Sequence, residues 1–265
     1  MDIERVPVPV PTRAPHGTTN CYVLGQDAAL LVDPPAESDA VDDLLADREL
    51  AHVAVTHHHP DHVGAVAHYA EEHDATVWCR TGRERAFADA TGVDPDRTFT
   101  EGTPIPADDP VPVVDTPGHA PEHVAFAVRD GSHDDAEDVL LTGDLAVAEG
   151  SVVVGAPEGD MRAYLSSLRR VWARDPAKLY PGHGPVVEAP RTTCERLITH
   201  RYDREARVLD AVREGAETVD EITDVAYDKD VSAVRGLAVA TVRAHVEKLA
   251  VERRVRWADG RATPP

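Results

Sequence analysis

Short apolar runs that end abruptly in a loop carrying histidine or aspartate recur four times along this 265-residue chain. The four runs are VAVTHHHPDH (53–62), VVDTPGH (113–119), LLTGD (140–144) and KLYPGHG (178–184). Segments with helical spacing of apolar residues lie among such strand-like runs, and this alternation favours a layered α/β domain. Loops held at strand ends on a rigid sheet often carry the chemistry, so these four are the first candidates for a functional site.

The spacing of apolar residues predicts eight strands and four helices before residue 199. The predicted strands cover residues 20–24, 28–32, 52–56, 76–79, 111–115, 123–128, 139–142 and 151–154. The predicted helices cover residues 38–46, 64–73, 82–90 and 160–173. Further along we expect helices over 199–214, from 218 onward and over 232–250, and then a hairpin that turns at Asp259-Gly260.

The first loop contains the pattern His57-x-His59-x-Asp61-His62. Alternate residues of an extended segment point the same way, so His57 and His59 can reach one metal ion. Asp61 and His62 follow at the turn and can reach a second ion nearby. Imidazole and carboxylate groups are suitable ligands for Zn²⁺, although they also suit iron and manganese.

Each of the other three loops places one potential ligand next to a glycine. These ligands are His119 in TPGH, Asp144 in LTGD and His183 in YPGHG. Glycine lets the backbone turn sharply and come close to a neighbouring group. The sequence therefore supplies seven candidate ligands on four separate loops.

The order HxHxDH, PGH, GD and PGHG resembles the metallo-beta-lactamase-fold hydrolases over residues 1 to about 195. The resemblance implies a four-layer αββα sandwich with a site for two metal ions, taken as zinc, at the sheet edges. It implies one ligand group for the first metal, called here the first ligand group: His57, His59 and His119. It implies a second ligand group for the other metal: Asp61, His62 and His183. It also implies that Asp144 bridges the two metals, and we expect Asp61 to act catalytically by steering or accepting the proton of the attacking water.

The tail differs from the rest in charge. Residues 1–199 hold 15 basic and 35 acidic residues, whereas residues 200–265 hold 12 and 13. This shift predicts a boundary between a hydrolase domain over 1–195 and a second domain over 200–265. The segments HRYDREARVLDAV, ETVDEITDVAY and TVRAHVEKLAVERRVRW are similar to the winged-helix tail of one family branch, which includes an endoribonuclease type.

Three functions follow as alternatives. The first is hydrolysis of single-stranded RNA, guided by the basic residues of the tail: Arg201, Arg204, Arg207, Arg243, Lys248, Arg253, Arg254 and Arg256. The second is hydrolysis of a small thioester or ester, as in hydroxyacylglutathione hydrolases. The third is a DNA-binding regulator with a hydrolase-fold sensor domain. The expected partner is thus a small-molecule substrate or single-stranded RNA. We expect no membrane association, and a homodimer is compatible with the sequence.

Asp33 and the histidines outside the four motifs also require an interpretation. Asp33 either orients a metal-binding histidine or only forms a turn before Pro34-Pro35. His123 is expected to be structural rather than a proton donor. The remaining histidines outside the motifs are expected at the surface or in packing: His16, His52, His68, His73, His133, His200 and His245. The three separated cysteines and the missing apolar leader predict a reducing, cytoplasmic location.

The net charge of −21, with 24 Arg, only 3 Lys and 29 Asp, resembles that of a halophilic protein. Mutual repulsion among the acidic groups is screened by salt, because the Debye length falls from about 10 Å at 0.1 M to about 3 Å at 1 M. We therefore predict that the melting temperature rises steeply between about 0.1 M and 1 M KCl. A melting temperature that stays constant over this range would contradict the halophilic interpretation and favour the alternative, an ordinary acidic protein.

Overall fold

Two mixed β-sheets form the centre of the fold. The computed structural model describes residues 1–131 and 137–265, so His133 lies outside the described residues. The first sheet contains, in spatial order, β1 (Ile3–Pro9), β2 (Thr18–Leu24), β3 (Ala29–Val32), β4 (Leu50–Ala54), β5 (Thr76–Arg80) and β6 (Arg97–Phe99). Strands β1 to β3 pair antiparallel, and β3 to β6 pair parallel.

The second sheet carries the later strands in the spatial order β11-β10-β9-β8-β7. In chain order they are β7 (Pro104–Pro106), β8 (Pro110–Asp115), β9 (Val124–Asp130), β10 (Glu137–Gly143) and β11 (Leu179–Pro181). Only β10 and β11 pair parallel; the other pairs are antiparallel. Because β8 and β10 both run antiparallel to β9, the carboxyl ends of β8, β10 and β11 lie at the same edge of this sheet.

Eight α-helices of the described chain accompany the sheets. They are α1 (Asp39–Leu45), α2 (Pro60–Val63), α3 (Val66–His73), α4 (Glu84–Thr91), α5 (Met161–Arg174), α6 (Pro190–Arg213), α7 (Val219–Ala226) and α8 (Arg235–Val251). Helices α1, α3, α4, α5 and the first half of α6 pack on the outer faces of the sheets. Short 3-10 turns occupy Pro15–Gly17 and Ser232–Val234. None of the helices in the described ranges has the length and apolar character that a membrane span requires.

Three buried clusters show how these layers are held together. The cluster between the sheets joins residues such as Leu30 and Val32 to Phe126 and Leu141. A second cluster lies between the first sheet and helices α1, α3 and α4, and a third between the second sheet and α5 and α6. The order of layers is therefore helix, sheet, sheet, helix, as the resemblance implies.

The tail consists of the second half of α6, helices α7 and α8, and a hairpin of β12 (Arg256–Ala258) and β13 (Arg261–Thr263). These elements share a small core of their own, which includes Leu209, Ile222 and Leu249. Helix α6 runs without interruption through residue 200, and its first half packs in the core of the second sheet through Leu197. A separate winged-helix domain is not evident among the described residues, and the boundary near residue 200 stays a prediction.

One predicted strand is wrong. Residues 151–154 do not join either sheet, because their carbonyl groups bind side chains instead of a neighbouring strand. The carbonyl of Val152 accepts from Arg201, and that of Val153 lies 2.6 Å from His119 Nδ1. Strands β1, β6 and β7 were not expected: Arg and Pro interrupt the apolar alternation of β1, and β6 and β7 have only three residues each.

Candidate metal centre

The seven predicted ligands lie together where the carboxyl ends of β4, β8, β10 and β11 meet. His57 and His59 follow β4, and Asp61 and His62 belong to the short helix α2. His119 follows β8, Asp144 follows β10 and His183 follows β11. Two hydrogen bonds join the edges of the sheets here, from Val124 N to Thr56 O at 2.9 Å and from Asn20 N to Gly182 O at 2.7 Å. The fold thus brings the four loops of the sequence to one place.

The first ligand group forms a compact set of imidazoles. One ring nitrogen from each of His57, His59 and His119 lies within 4.8 Å of the others. His59 Nδ1 and His119 Nε2 are only 2.9 Å apart. His57 is buried, whereas the other two rings reach the surface of a cavity.

The second ligand group combines two imidazoles and a carboxylate. Ligand atoms of Asp61, His62 and His183 lie within 4.8 Å of one another. The distance between His183 Nε2 and Asp61 Oδ2 is 3.7 Å. The hydroxyl of Thr12 donates to the same Asp61 oxygen at 2.6 Å, so this carboxylate is held in place from the amino-terminal segment.

The carboxylate of Asp144 lies between the two groups and faces each with a different oxygen. Its Oδ2 is 3.6 Å from His119 Nε2 in the first group. Its Oδ1 is 3.6 Å from His62 Nε2 and 3.3 Å from His183 Nε2 in the second. A side chain at Gly182 would lie 2.8 Å from this oxygen, so only glycine leaves room for it. The placement fits the predicted bridging role.

Three buried ligand atoms lack hydrogen-bond partners among the described residues, and this indicates whether the site suits metal ions. They are His57 Nε2, His62 Nε2 and Asp144 Oδ1. Such groups normally cost free energy unless they are satisfied. All three point into the ligand groups, and nitrogen and carboxylate oxygen are the donors that Zn²⁺ and similar metals take. The residues therefore fit a pair of metal ions.

Asp33 has the positioning role that the sequence left open. Its Oδ2 lies 3.1 Å from His62 Nδ1 and accepts from the Thr56 hydroxyl at 2.7 Å, which in turn lies 3.0 Å from His57 Nδ1. The residue has φ 52°, a left-handed conformation that aspartate tolerates better than most residues. One buried carboxylate thus orients an imidazole in each group.

Backbone carbonyls and one glutamate hold the other imidazoles. Thr18 O lies 2.9 Å from His183 Nδ1, and Val153 O lies 2.6 Å from His119 Nδ1. Glu158 Oε2 lies 3.2 Å from His59 Nε2. Sequence reasoning missed Thr12 and Glu158, because neither lies in a motif and each approaches its partner from a distant part of the chain.

His58 and His123 lie beside the site but outside both ligand groups. His58 turns away and its Nδ1 is 3.3 Å from Glu122. His123 Nε2 accepts from the Asp144 backbone N–H at 3.0 Å, so its Nδ1 carries the proton and can donate to Thr116 O at 3.0 Å. Burial, followed by the charge of His119, lowers the pKa of His123 to about 3. A neutral ring with both nitrogens engaged agrees with the expected structural role.

The electrostatics of the site favour protonated imidazole beside carboxylate when no metal is bound. Burial alone lowers the pKa of His183, but the Asp144 carboxylate, whose Oδ1 lies 3.3 Å from His183 Nε2, outweighs burial and raises the pKa to about 9. Burial also lowers the pKa of His62, but the contact with Asp33 outweighs burial and raises the pKa above its ordinary value. Burial raises the pKa of Asp144, but His183 and the other imidazoles more than offset this and lower the pKa well below its ordinary value.

A cavity of about 670 Å³ opens directly onto both ligand groups. Its polar floor includes His59, His119, Asp61, His183 and Asp144. Its walls come from the segment 11–16, the loop 147–158 and the start of α8, and they are mainly apolar: Pro11, Ala14, Val147, Val152, Val153, Val234, Leu237 and Ala240. His16, expected at the surface, lies at the rim of this cavity.

The fold and the site define a metal-dependent hydrolase. The family model for the metallo-beta-lactamase superfamily matches residues 14–183, and the chain belongs to this superfamily.

Similar proteins cover both the hydrolase region and the tail. The Beta-lactamase-like protein 2 homolog of Caenorhabditis elegans is 25% identical over 241 residues, which cover 87% of this chain and 78% of that protein. An Atrochrysone carboxyl ACP thioesterase of Aspergillus fumigatus is 29% identical over 210 residues, which cover 74% of this chain and 60% of the thioesterase. The crystal structure of a metallo-beta-lactamase family protein from Thermus thermophilus aligns with 99% of this chain and 98% of its own, at 25% identity and a TM-score of 0.79.

The raised pKa of His183 predicts that metal binding depends on pH. Below pH 9 the metal-free protein keeps this imidazole protonated, whereas a metal needs the neutral form. The apparent affinity for Zn²⁺ should therefore rise from pH 6 to pH 9, by about tenfold per pH unit for each proton displaced. Competition with a chromophoric chelator measures this, and an affinity independent of pH over that range would contradict the assignment of His183 as a ligand.

Proposed function

We propose that this protein hydrolyses a thioester with an apolar acyl group, using two metal ions held by the two ligand groups. The observation that carries the proposal is the cavity, because its apolar walls lead directly to the His and Asp side chains of the site. Small-molecule sites commonly combine apolar walls with a few convergent polar groups. The similarity to an ACP thioesterase supports a thioester as the bond that is broken.

The charge of the cavity lining gives less support to RNA as the substrate. Among the residues that line it, Arg13 is the only lysine or arginine, and Glu149 and Glu158 carry the opposite charge. A polynucleotide needs several cationic contacts to its phosphates. One exposed arginine at the rim instead suits a single anionic group, such as the phosphate of an acyl carrier or of coenzyme A.

The basic residues of the tail are largely engaged elsewhere. Arg201 and Arg204 are buried and donate to the backbone carbonyls of Val152 and Ala226. Four others pair with acids of the tail: Arg207, Arg243, Lys248 and Arg254. These pairings also weaken the case for a DNA-binding regulator. Hydrolysis of single-stranded RNA, guided by a winged-helix tail, is therefore the alternative that has less support.

The side chains around the cavity suggest how hydrolysis would proceed. When bound, two metal ions would polarise the scissile carbonyl and lower the pKa of a water molecule toward about 7. Asp61, held by Thr12, faces the cavity and would orient the attacking water and accept its proton at a carboxylate oxygen. The walls formed by Val153, Leu237 and Ala240 would hold the acyl chain and exclude bulk water from the reacting carbonyl.

We further propose zinc as the metal, with iron or manganese as the alternatives that the same donors allow. Elemental analysis of protein purified without a chelator should find close to two transition-metal ions per chain, and the element found identifies the metal. A protein that contains none, and that keeps its melting temperature in a chelator, would contradict the metal centre.

Other expectations stay predictions. They are a cytoplasmic location, a homodimer and adaptation to high salt. The three cysteines are buried.

The substrate proposal predicts a dependence on the acyl group. At high salt and with metal bound, the protein should hydrolyse long-chain acyl thioesters with a lower KM than the acetyl thioester. Leu237→Glu places a charge in the apolar wall, and losing the contact of one such side chain costs about 1.5–3 kcal/mol. The KM for the long-chain substrate should therefore rise by on the order of tenfold or more, with little change for the acetyl thioester.

Val251→Glu provides the matched control, because Val251 lies at the other end of the same helix and is 59% exposed. This variant should behave as the wild type. Cleavage of single-stranded RNA by the same preparation, without thioester hydrolysis, would overturn the proposal in favour of the endoribonuclease alternative.

A further inference from the structure

One loop, residues 147–158, holds the outer nitrogens of two imidazoles in the first ligand group. We call it the bridging loop. Its Val153 carbonyl lies 2.6 Å from His119 Nδ1, and its Glu158 carboxylate lies 3.2 Å from His59 Nε2. Contacts of this kind fix the orientation of a metal-binding imidazole and the nitrogen that carries the proton. The position of the bridging loop therefore decides how these two rings face the metal.

The bridging loop does not belong to a sheet, and helices α6 and α8 hold it in place. Arg201 of α6, which is 3% exposed, donates from its guanidinium to the carbonyl of Val152, the residue next to Val153. Arg196 of the same helix donates to Val147 O at 2.8 Å and to Gly150 O at 2.6 Å. Ala156 N donates to Ala240 O of α8 at 3.0 Å. The long helices α6 and α8 thus fix the loop through its backbone.

Arg201 also reaches the His119 loop by a second route. Its guanidinium lies over the ring of Tyr164, 5.2 Å from the centroid. The backbone of Tyr164 packs so closely on Gly118 that a side chain there would lie 2.3 Å from Tyr164 Cα. Gly118 precedes His119 directly, so the same arginine supports this imidazole from two sides.

The second ligand group is held differently. Its outer partners are Asp33 for His62, the Thr18 carbonyl for His183 and the Thr12 hydroxyl for Asp61. All three partners come from the amino-terminal part of the chain. Within the described ranges, the hydrogen bonds and ion pairs of this group do not include the bridging loop.

We infer that Arg201 is a positioning residue for the first ligand group, acting through the Val152–Val153 backbone on His119, so that the tail sets metal affinity in one half of the centre only. The inference rests on metal binding by the two groups, as proposed above. This role differs both from guiding RNA and from packing, since it requires the hydrogen bond from Arg201 to the carbonyl of Val152.

Titration with Co²⁺, followed by visible absorption and equilibrium dialysis, tests this inference without any substrate. Arg201→Met keeps an unbranched side chain of similar reach but removes the donor to Val152. We expect one of the two cobalt ions to bind about 10–100-fold more weakly, while the other keeps its wild-type affinity. The absorption of the weakened site should be the part that His119→Ala also removes. Arg201→Lys, which can still donate one hydrogen bond, should recover part of the loss.

Arg204→Met is the matched control. Arg204 is also buried on α6, but it donates to Ala226 within the tail and lies over Tyr227. It should leave both cobalt affinities unchanged, with circular dichroism and the melting temperature checking the fold of every variant. The inference is overturned if Arg201→Met binds both ions as the wild type does, or if both arginine variants lose both ions equally. A wild-type protein that binds no cobalt would instead overturn the metal centre itself, and this inference with it.

Discussion

The carboxylate of Asp144, buried among imidazoles, is the interaction on which the rest of the site depends. Each of its oxygens faces a different ligand group, and the surrounding imidazoles keep its pKa low despite burial. A charge in such a place is stable only when opposite charge and hydrogen bonds surround it. The glycines beside it serve this requirement. Gly143 has a positive φ and lies against Thr56 and His123, and Gly182 leaves the space that the carboxylate oxygen occupies.

The two sheets are arranged to supply what this carboxylate needs. Strands β4, β8, β10 and β11 each deliver one loop to the same edge, and hydrogen bonds across that edge fix the loops relative to one another. Asp33 then orients a ring in each ligand group from the end of β3. The site is thus assembled from short local turns on rigid strands, which is why its residues are so well separated in sequence and so close in space.

This arrangement explains how much could be predicted from the sequence. His57, His59, Asp61, His62, His119, Asp144 and His183 were predictable as a set, because each follows an apolar run or a glycine in a short motif. The alternation of strands and helices predicted a layered α/β domain, whereas the order of the four layers was implied only by the resemblance to the family. Val153 was beyond prediction, since it acts through a backbone carbonyl that leaves no mark in the side-chain pattern. The apolar run that contains Val153 even predicted a strand. An apolar run indicates burial, but it does not show which groups the backbone carbonyls bind. Glu158, Thr12 and Arg201 act over long separations in sequence, and charge counting placed Arg201 among the residues that would guide RNA, whereas its guanidinium is buried and binds the bridging loop.

The unbroken course of α6 has a consequence for how this chain can vary. Arg201 points toward the bridging loop and Arg204 toward the tail core, three residues later on the same helix. One residue added to a helix turns everything beyond it by about 100° and shifts it by about 1.5 Å. An insertion between Leu197 and Arg201 would therefore turn both arginines away from their carbonyls and rotate the tail out of phase with the sandwich. Along this stretch the chain can change in composition, but its length is fixed by helical phase.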